Sequence, residues 1–94
     1  MDIQFSGIIF QWRGPSPYFF VAVPVEESDY LKSISAAVTY GWGVIPVTAQ
    51  VGETVWTTSL IPKDGRYLLP LKDKVRNAEG LQDGDEIFVQ LAVR

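Results

Sequence analysis

The sequence contains neither cysteine nor histidine. Without cysteine there can be no disulfide framework and no thiolate nucleophile. Without histidine the chain lacks the commonest general base near neutral pH, and the loss of both residue types removes the usual zinc ligands. We therefore predict that the protein is not an enzyme and that it needs no metal and no cofactor. The lack of cysteine also fits a reducing cytoplasm, where we expect the protein to work.

Long apolar runs are scarce as well. Residues 33–52 carry no charge, but glycine, proline and glutamine interrupt them, which argues against a membrane span. The amino-terminal residues have no basic region ahead of an apolar run, so we predict no secretion signal. The net charge of −3 disfavours binding to nucleic acid. With 94 residues, we expect one domain that spans residues 1–94.

What the chain does contain is a series of short alternating runs bounded by glycine and proline, a pattern typical of an all-β domain. We predict six strands, at residues 3–12, 19–23, 44–51, 54–58, 66–69 and 86–93, and two helices, at residues 26–38 and 72–79. In the last strand Ile87, Val89, Leu91 and Val93 should face the core, and Glu86 and Gln90 should face water. The first strand is apolar on both faces, which predicts a strand inside a closed or covered sheet.

The order strand, strand, proline, helix, glycine, strand occurs twice. Pro24 and Gly41 punctuate the first copy, and Pro70 and Gly80 punctuate the second. This order indicates an internal duplication in which each half contributes three strands and one helix. The alternative is that any β domain separates its strands with proline and glycine. The predicted fold is mainly β, a closed barrel of about six strands with two short helices.

Residues 67–76 and 80–87 resemble the half-barrel of swapped-hairpin proteins of the AbrB and MazE type. Together with Val23-Pro24 and residues 40–47 and 56–60, these segments resemble the bacterial and archaeal family called domain of unknown function 1905. The resemblance covers nearly the whole chain and implies a double-split β-barrel. It implies no particular activity.

The basic residues are unevenly distributed, because five of the eight fall between positions 63 and 76. Lys72 and Arg76 lie four residues apart on the second predicted helix, and both side chains are expected to point into solvent. With hydroxyl donors nearby they predict an anion site, formed by Lys72, Arg76, Thr58 and Ser59. The alternative is a solvated helix face whose charge is balanced by neighbouring carboxylates.

A cleft beside the anion site is predicted from Trp42, Trp56, Lys63 and Arg66. Trp42 stands between two glycines, where a backbone can approach a ligand closely and an aromatic ring can stay partly exposed. The three tryptophans are otherwise expected to pack in the core or at the barrel rim.

Two weaker patterns concern catalysis and metals. Ser59 and Lys63 could form a nucleophile and base pair, but no motif surrounds them. Asp83-Gly84-Asp85-Glu86 is rich in carboxylates, yet a calcium loop of the EF-hand type needs more oxygen ligands over a longer segment. We predict a turn there instead, with Gly84 at positive φ.

The leading functional hypothesis is a binding module for a small anionic metabolite or an acidic peptide. One alternative is a nucleic-acid-binding or regulatory domain, by analogy with AbrB-type barrels. A second alternative is a purely protein-interaction domain. We expect a monomer or a weak homodimer.

Overall fold

The computed structural model describes residues 2–12, 18–38 and 43–94. Within them the chain forms six β-strands and two α-helices, in the order β1 (Asp2–Trp12), β2 (Tyr18–Ala22), α1 (Val25–Val38), β3 (Ile45–Val51), β4 (Thr54–Lys63), β5 (Arg66–Leu71), α2 (Asp73–Glu79) and β6 (Glu86–Val93). The predicted mainly β class, a closed barrel of six strands with two short helices, is confirmed.

The barrel closes in the order β1-β2-β5-β4-β3-β6, with β6 returning to β1, and all neighbouring strands are antiparallel. The two longest strands change partner along their length. The first part of β1, Asp2 to Ile8, pairs with β6, and the rest, Ile9 to Trp12, pairs with β2. In the same way β4 pairs first with β3 and then with β5. Both long strands are therefore shared between two sheets, which is the double split that the family resemblance implies.

The strand pairing is unchanged when β1, β2 and β3 are exchanged with β4, β5 and β6. The β1–β2 hairpin then maps onto the β4–β5 hairpin, and the β1–β6 pair maps onto the β4–β3 pair. The β2–β5 and β3–β6 pairs map onto themselves. An internal duplication would produce this twofold pattern, so the pairing supports that hypothesis.

The interior is filled by side chains that alternate inward along the strands. On β6, Ile87, Val89 and Leu91 are buried, as predicted. Helix α1 packs on β3 and β5 and buries Leu31, while α2 packs on β4 and buries Val75. Ser28 is the only buried polar residue among those described. Its hydroxyl donates to the carbonyl of Val23 and accepts from the amide of Tyr67, which joins α1 to β5.

The outer face of β1 is apolar and partly exposed. Ile8, Phe10 and Trp12 lie on the side of β1 that points away from the core, and Ile8 and Trp12 are exposed. Of the two predicted settings for β1, the closed sheet is confirmed, and its outer face is not covered because the two helices pack elsewhere on the barrel. An apolar surface is left open on the outside.

Two strands also extend further than predicted. β4 continues past residue 58 to Lys63, because it leaves β3 at Leu60 and finds a new partner in β5. β5 continues past residue 69 to Leu71 and includes Pro70. The pairing of β5 with β4 ends at Leu68, so beyond that point β5 has β2 as its strand neighbour. Pro70, which has no N–H to donate, is therefore tolerated there.

A turn and a glycine fix the point where β1 changes partner. The amide of Ile9 donates to the carbonyl of Asp85, and the amide of Gly84 donates back to the carbonyl of Ile9. Gly84 has a φ of 89°, which confirms the predicted positive φ.

At Gly7 an added Cβ would lie 2.6 Å from Cγ1 of Val21, so β1 and β2 can approach here only because Gly7 has no side chain.

Candidate functional site

The outer face of the sheet formed by β1, β2, β5 and β4 carries an aromatic cluster. Residues directly opposite each other in antiparallel strands share a face, and Trp12 stands opposite Tyr18 while Phe10 stands opposite Phe20. The rings of Phe10 and Phe20 are 6.1 Å apart between centroids, and those of Tyr18 and Phe20 are 6.4 Å apart. Trp12 is 39% exposed and Tyr18 is 60% exposed. The four rings, which we call the aromatic face, therefore form one surface.

A groove of about 380 Å³ runs across this aromatic face. Trp12, Tyr18 and Phe20 line one side, and the opposed pair Ile61 and Leu68 lines the other. Pro62 and Lys63 complete the described part of the lining, and none of these residues is a carboxylate. Its volume and its mainly apolar lining are those of a small-molecule or peptide site. A contiguous apolar surface of this kind is typical of a binding surface.

Two cations stand at the end of the groove nearest the β4–β5 turn. Lys63 and Arg66 are directly opposite each other in the last pair of the β4–β5 ladder. The ammonium nitrogen of Lys63 lies 3.5 Å from the centroid of the Trp12 ring, a cation–π contact. The guanidinium Nε of Arg66 donates to the carbonyl of Val23 at 3.0 Å, which holds the side chain in place. We call this pair the turn cations.

An adjacent hollow strengthens the positive character of this end. It measures about 250 Å³ and is lined by the turn cations, by Lys32 and by one carboxylate, Asp64. On the aromatic side a smaller hollow of about 210 Å³ shares Trp12, Lys63 and Leu68 with the groove. Apolar surface and positive charge therefore meet at Trp12 and Lys63.

Comparison with protein families gives one result, a match of residues 5–91 to the model of the domain of unknown function DUF1905. The chain belongs to this family. No match was found among curated proteins. The family description names no activity, so the geometry of this DUF1905 domain has to carry the functional argument. The likeness to AbrB and MazE half-barrels stays a prediction.

The residues predicted to bind an anion in this DUF1905 domain already have partners. The ammonium nitrogen of Lys72 donates to the carbonyl of Thr57 at 3.0 Å. Arg76 forms an ion pair with Asp73, and its guanidinium carbon lies 3.7 Å from the centroid of the Phe19 ring. The Arg76 side chain is 20% exposed, so the expectation that it points into solvent is wrong. The stack on Phe19 is the reason, since it draws the guanidinium onto the barrel surface.

The two hydroxyl residues predicted beside them occupy the middle of β4. Thr58 and Ser59 pair with Val47 and Pro46 on β3, and both are half-buried. The carbonyl of Thr58 accepts from Arg94. The contact that Lys72 makes with β4 is thus one residue away from Thr58, at Thr57. Whether Thr58 and Ser59 help to bind an anion stays a prediction.

The predicted cleft residues separate into three groups. Lys63 and Arg66 lie together as the turn cations at the end of the groove. Trp56 points into the core and is 8% exposed, because its place on β4 alternates inward with Leu60, so it does not line a surface cleft. Trp42 lies outside the described residues.

Sequence reasoning missed the aromatic face itself. Its signal was present, since Phe10 and Trp12 precede the two prolines of residues 13–17 and Tyr18 and Phe20 follow them, each pair at the two-residue spacing that places side chains on one face of a strand.

Two further features concern membranes and metals. In the described part of the chain, neither helix has the length and apolar character needed to cross a bilayer. The same residues contain no cluster of carboxylates that could hold a metal ion.

Proposed function

We propose that this DUF1905 domain is a binding module, and that its ligand combines a flat apolar group with a negative charge. The observation that carries the proposal is the groove on the aromatic face, where exposed rings lead to Lys63 and the described lining residues include no carboxylate. Arg66 stands opposite Lys63 and lines the adjacent hollows, in whose described lining Asp64 is the one carboxylate. In this proposal the domain binds its ligand and catalyses no reaction. The absence of histidine and cysteine supports that part.

The apolar part of the ligand would lie in the groove against Trp12 and Tyr18. Aromatic side chains offer a large contact area that is already ordered by the strands. The anion would lie beside Lys63 and Arg66. Of the four cations predicted from the sequence, these two are the better pair for a small ligand. The charge of Arg76 is already balanced by Asp73, and its guanidinium packs on Phe19.

Lys63 has a particular place in this proposal. In the free protein its ammonium group covers one side of the Trp12 ring. An incoming aromatic anion would offer that ammonium group a full negative charge, which is a stronger partner than the quadrupole of a ring. A shift of Lys63 from the ring to the anion would then uncover Trp12 for stacking.

Single-stranded nucleic acid is the second candidate. Exposed rings on a sheet with cations at its edge are the elements of a base-stacking platform, which is what favours this alternative. The net charge of −3 opposes it, because the rest of the surface repels a phosphate backbone within the Debye length of about 8 to 10 Å.

The proposal is tested with a matched pair of probes, 2-naphthoate and its neutral amide, 2-naphthamide, titrated by calorimetry. We expect naphthoate to bind in the micromolar to millimolar range, which corresponds to roughly 4 to 8 kcal/mol. Naphthamide should bind more weakly. Trp12→Ala should remove binding of both probes, and Lys63→Gln should remove the preference for the anion. Lys74→Gln, an exposed lysine on α2, is the matched control and should change neither.

Three outcomes would contradict the proposal. Equal affinities for naphthoate and naphthamide would show that the turn cations do not take part in binding. Unchanged binding to Trp12→Ala would remove the aromatic face. Submicromolar binding of an oligonucleotide that falls steeply with added salt would favour the nucleic-acid alternative.

A further inference from the structure

The aromatic face continues beyond the groove to a second basic end. Tyr18, which lines the groove, also lines a hollow of about 310 Å³ on its other side. Phe19, Pro70 and Leu71 form the apolar part of that hollow, and Lys72 stands at its edge with Asp73. The hollow at the β4–β5 turn shares Pro62 and Lys63 with the groove, and the groove shares Tyr18 with this third hollow, so the three follow one another along β5. We call the three together the depression.

The two ends of this depression are both positively charged. At the turn, Lys63 and Arg66 lie next to a single carboxylate, Asp64. At the far end Asp73 is paired with Arg76, and the ammonium group of Lys72 donates to the neutral carbonyl of Thr57, a contact that brings no carboxylate to balance its charge. On a protein with a net charge of −3, two positive ends joined by a stretch of aromatic and apolar lining form a distinct electrostatic pattern. A complementary ligand is negative at both ends and apolar between them.

The length of the depression selects the kind of ligand. Arg66 opens β5, and Lys72 follows its last residue. Six residues of strand at about 3.3 Å each separate the two basic ends by about 20 Å. A small metabolite does not span this distance. An extended peptide does, with about six residues between its acidic groups, since it rises by the same amount per residue.

The mode of binding also follows from the fold. Each strand of the closed barrel has a neighbour on both sides for at least part of its length, so a peptide cannot easily bind by adding a strand to a sheet edge. It would instead lie across the outer face and be recognised by its side chains. Alternate residues of an extended peptide point to the same side, so apolar residues at every second position would enter the groove.

We infer that this depression receives an extended segment of a partner protein, acidic at both ends and aromatic or branched apolar in its centre. The inference rests on the function proposed above and names the partner class for the same surface. It brings Lys72, predicted from the sequence as part of an anion site, and Lys63, predicted as part of a cleft, into one recognition surface. Spacing of the acidic ends then sets specificity.

Four blocked synthetic peptides test the inference by calorimetry. The first has two glutamates at each end and alternating Phe and Leu in a centre of about six residues. The second has glutamine in place of the glutamates at one end, and a third carries the same substitution at the other end. The fourth keeps all glutamates but has a centre half as long. We expect the first peptide to bind about 3- to 5-fold more tightly than each of the others, since each exposed ion pair changes affinity by at most about 5-fold.

Variants then assign the two ends. Lys63→Gln and Lys72→Gln should each weaken the first peptide by about 3- to 5-fold, and Lys74→Gln, the matched control, should not. Each one-ended peptide keeps its glutamates at one end only. Its affinity should therefore fall only in the variant that removes the lysine at that end. Naphthoate binding should respond to Lys63→Gln and not to Lys72→Gln.

The results separate the inference from the proposed function. If the one-ended or shortened peptides bind as tightly as the first, the two-ended inference falls, while naphthoate binding that depends on Trp12 keeps the proposed function. If neither peptides nor naphthoate bind, both fall. If sedimentation shows that the free domain dimerises and Trp12→Ala abolishes the dimer, the occupant is a second copy and the inference is overturned.

Discussion

Substitution of Gly7 tests how the double split is built. An ideal Cβ at this position would lie 2.6 Å from Cγ1 of Val21 and 3.4 Å from the carbonyl oxygen of Ala22. Val21 is fully buried, so its side chain has no free space to move into. Overpacking of a well-packed core costs about 1 to 3 kcal/mol. We therefore expect Gly7→Ala to destabilise, whereas a glycine to alanine change at an unconstrained site stabilises by roughly 0.4 to 1 kcal/mol.

A double-mutant cycle with Val21→Ala sharpens this prediction. Alone, Val21→Ala removes two methyl groups, which costs about 1.6 kcal/mol at roughly 0.8 kcal/mol each, and leaves a cavity that adds to the cost. In the double variant the new methyl group at position 7 fills part of that cavity. The double variant should therefore be more stable than the sum of the single changes predicts, by about 1 kcal/mol or more.

The assay is urea unfolding followed by tryptophan fluorescence, with Ser6→Ala as the control. Ser6 is the exposed neighbour of Gly7, and its substitution should stay within about 0.5 kcal/mol. For a chain of this size each kcal/mol corresponds to a change in Tm of about 4 to 8 °C, which thermal unfolding can verify. Additive effects of Gly7→Ala and Val21→Ala, or a Gly7→Ala variant as stable as Ser6→Ala, would refute the close approach of β1 and β2 at this point.

Three further predictions concern stability and are read from the same unfolding curves. Val89→Ala should cost about 1 to 3 kcal/mol, because the side chain is fully buried on β6; a loss below about 0.5 kcal/mol would contradict its place in the core. Gly84→Val should cost about 1 to 3 kcal/mol through its positive φ, and equal melting temperatures for Gly84→Val and Gly14→Val would reject that assignment. Thr54→Val removes the hydroxyl that donates to Glu79 on α2, and should cost about 0.5 to 1.5 kcal/mol; an unchanged midpoint would show that this contact adds nothing.

The core of the barrel could be predicted from the sequence wherever one face of a strand is clearly polar. In β6, Ile87, Val89 and Leu91 alternate with Glu86 and Gln90, and one register alone buries the apolar set. The pattern in β1 is ambiguous, since Phe10 and Trp12 continue an apolar outer face. Apolar residues on both faces indicate either a covered strand or a binding surface, and local sequence does not distinguish them.

The candidate site could be predicted only in part, because its members meet through the topology. Lys63 and Lys72 are close in sequence, yet the extended β5 strand separates them by about 20 Å. Arg76 and Phe19 are far apart in sequence, yet they stack because α2 follows β5 and β5 pairs with β2. The uneven distribution of charge therefore indicated the segment that carries these cations, and the strand order decides which of them lie close together.

Amide chemical-shift mapping during a naphthoate titration identifies the surface that binds the probe. We expect that surface to be the aromatic face. Shifts should be confined to residues around the groove, above all Trp12, Tyr18 and Lys63. The other sheet provides an internal comparison, since its outer face carries a polar hollow of about 230 Å³ lined by Gln4 and Gln90 among others. If the shifts instead centred on that polar hollow and the groove residues were unchanged, the aromatic face would not be the binding surface.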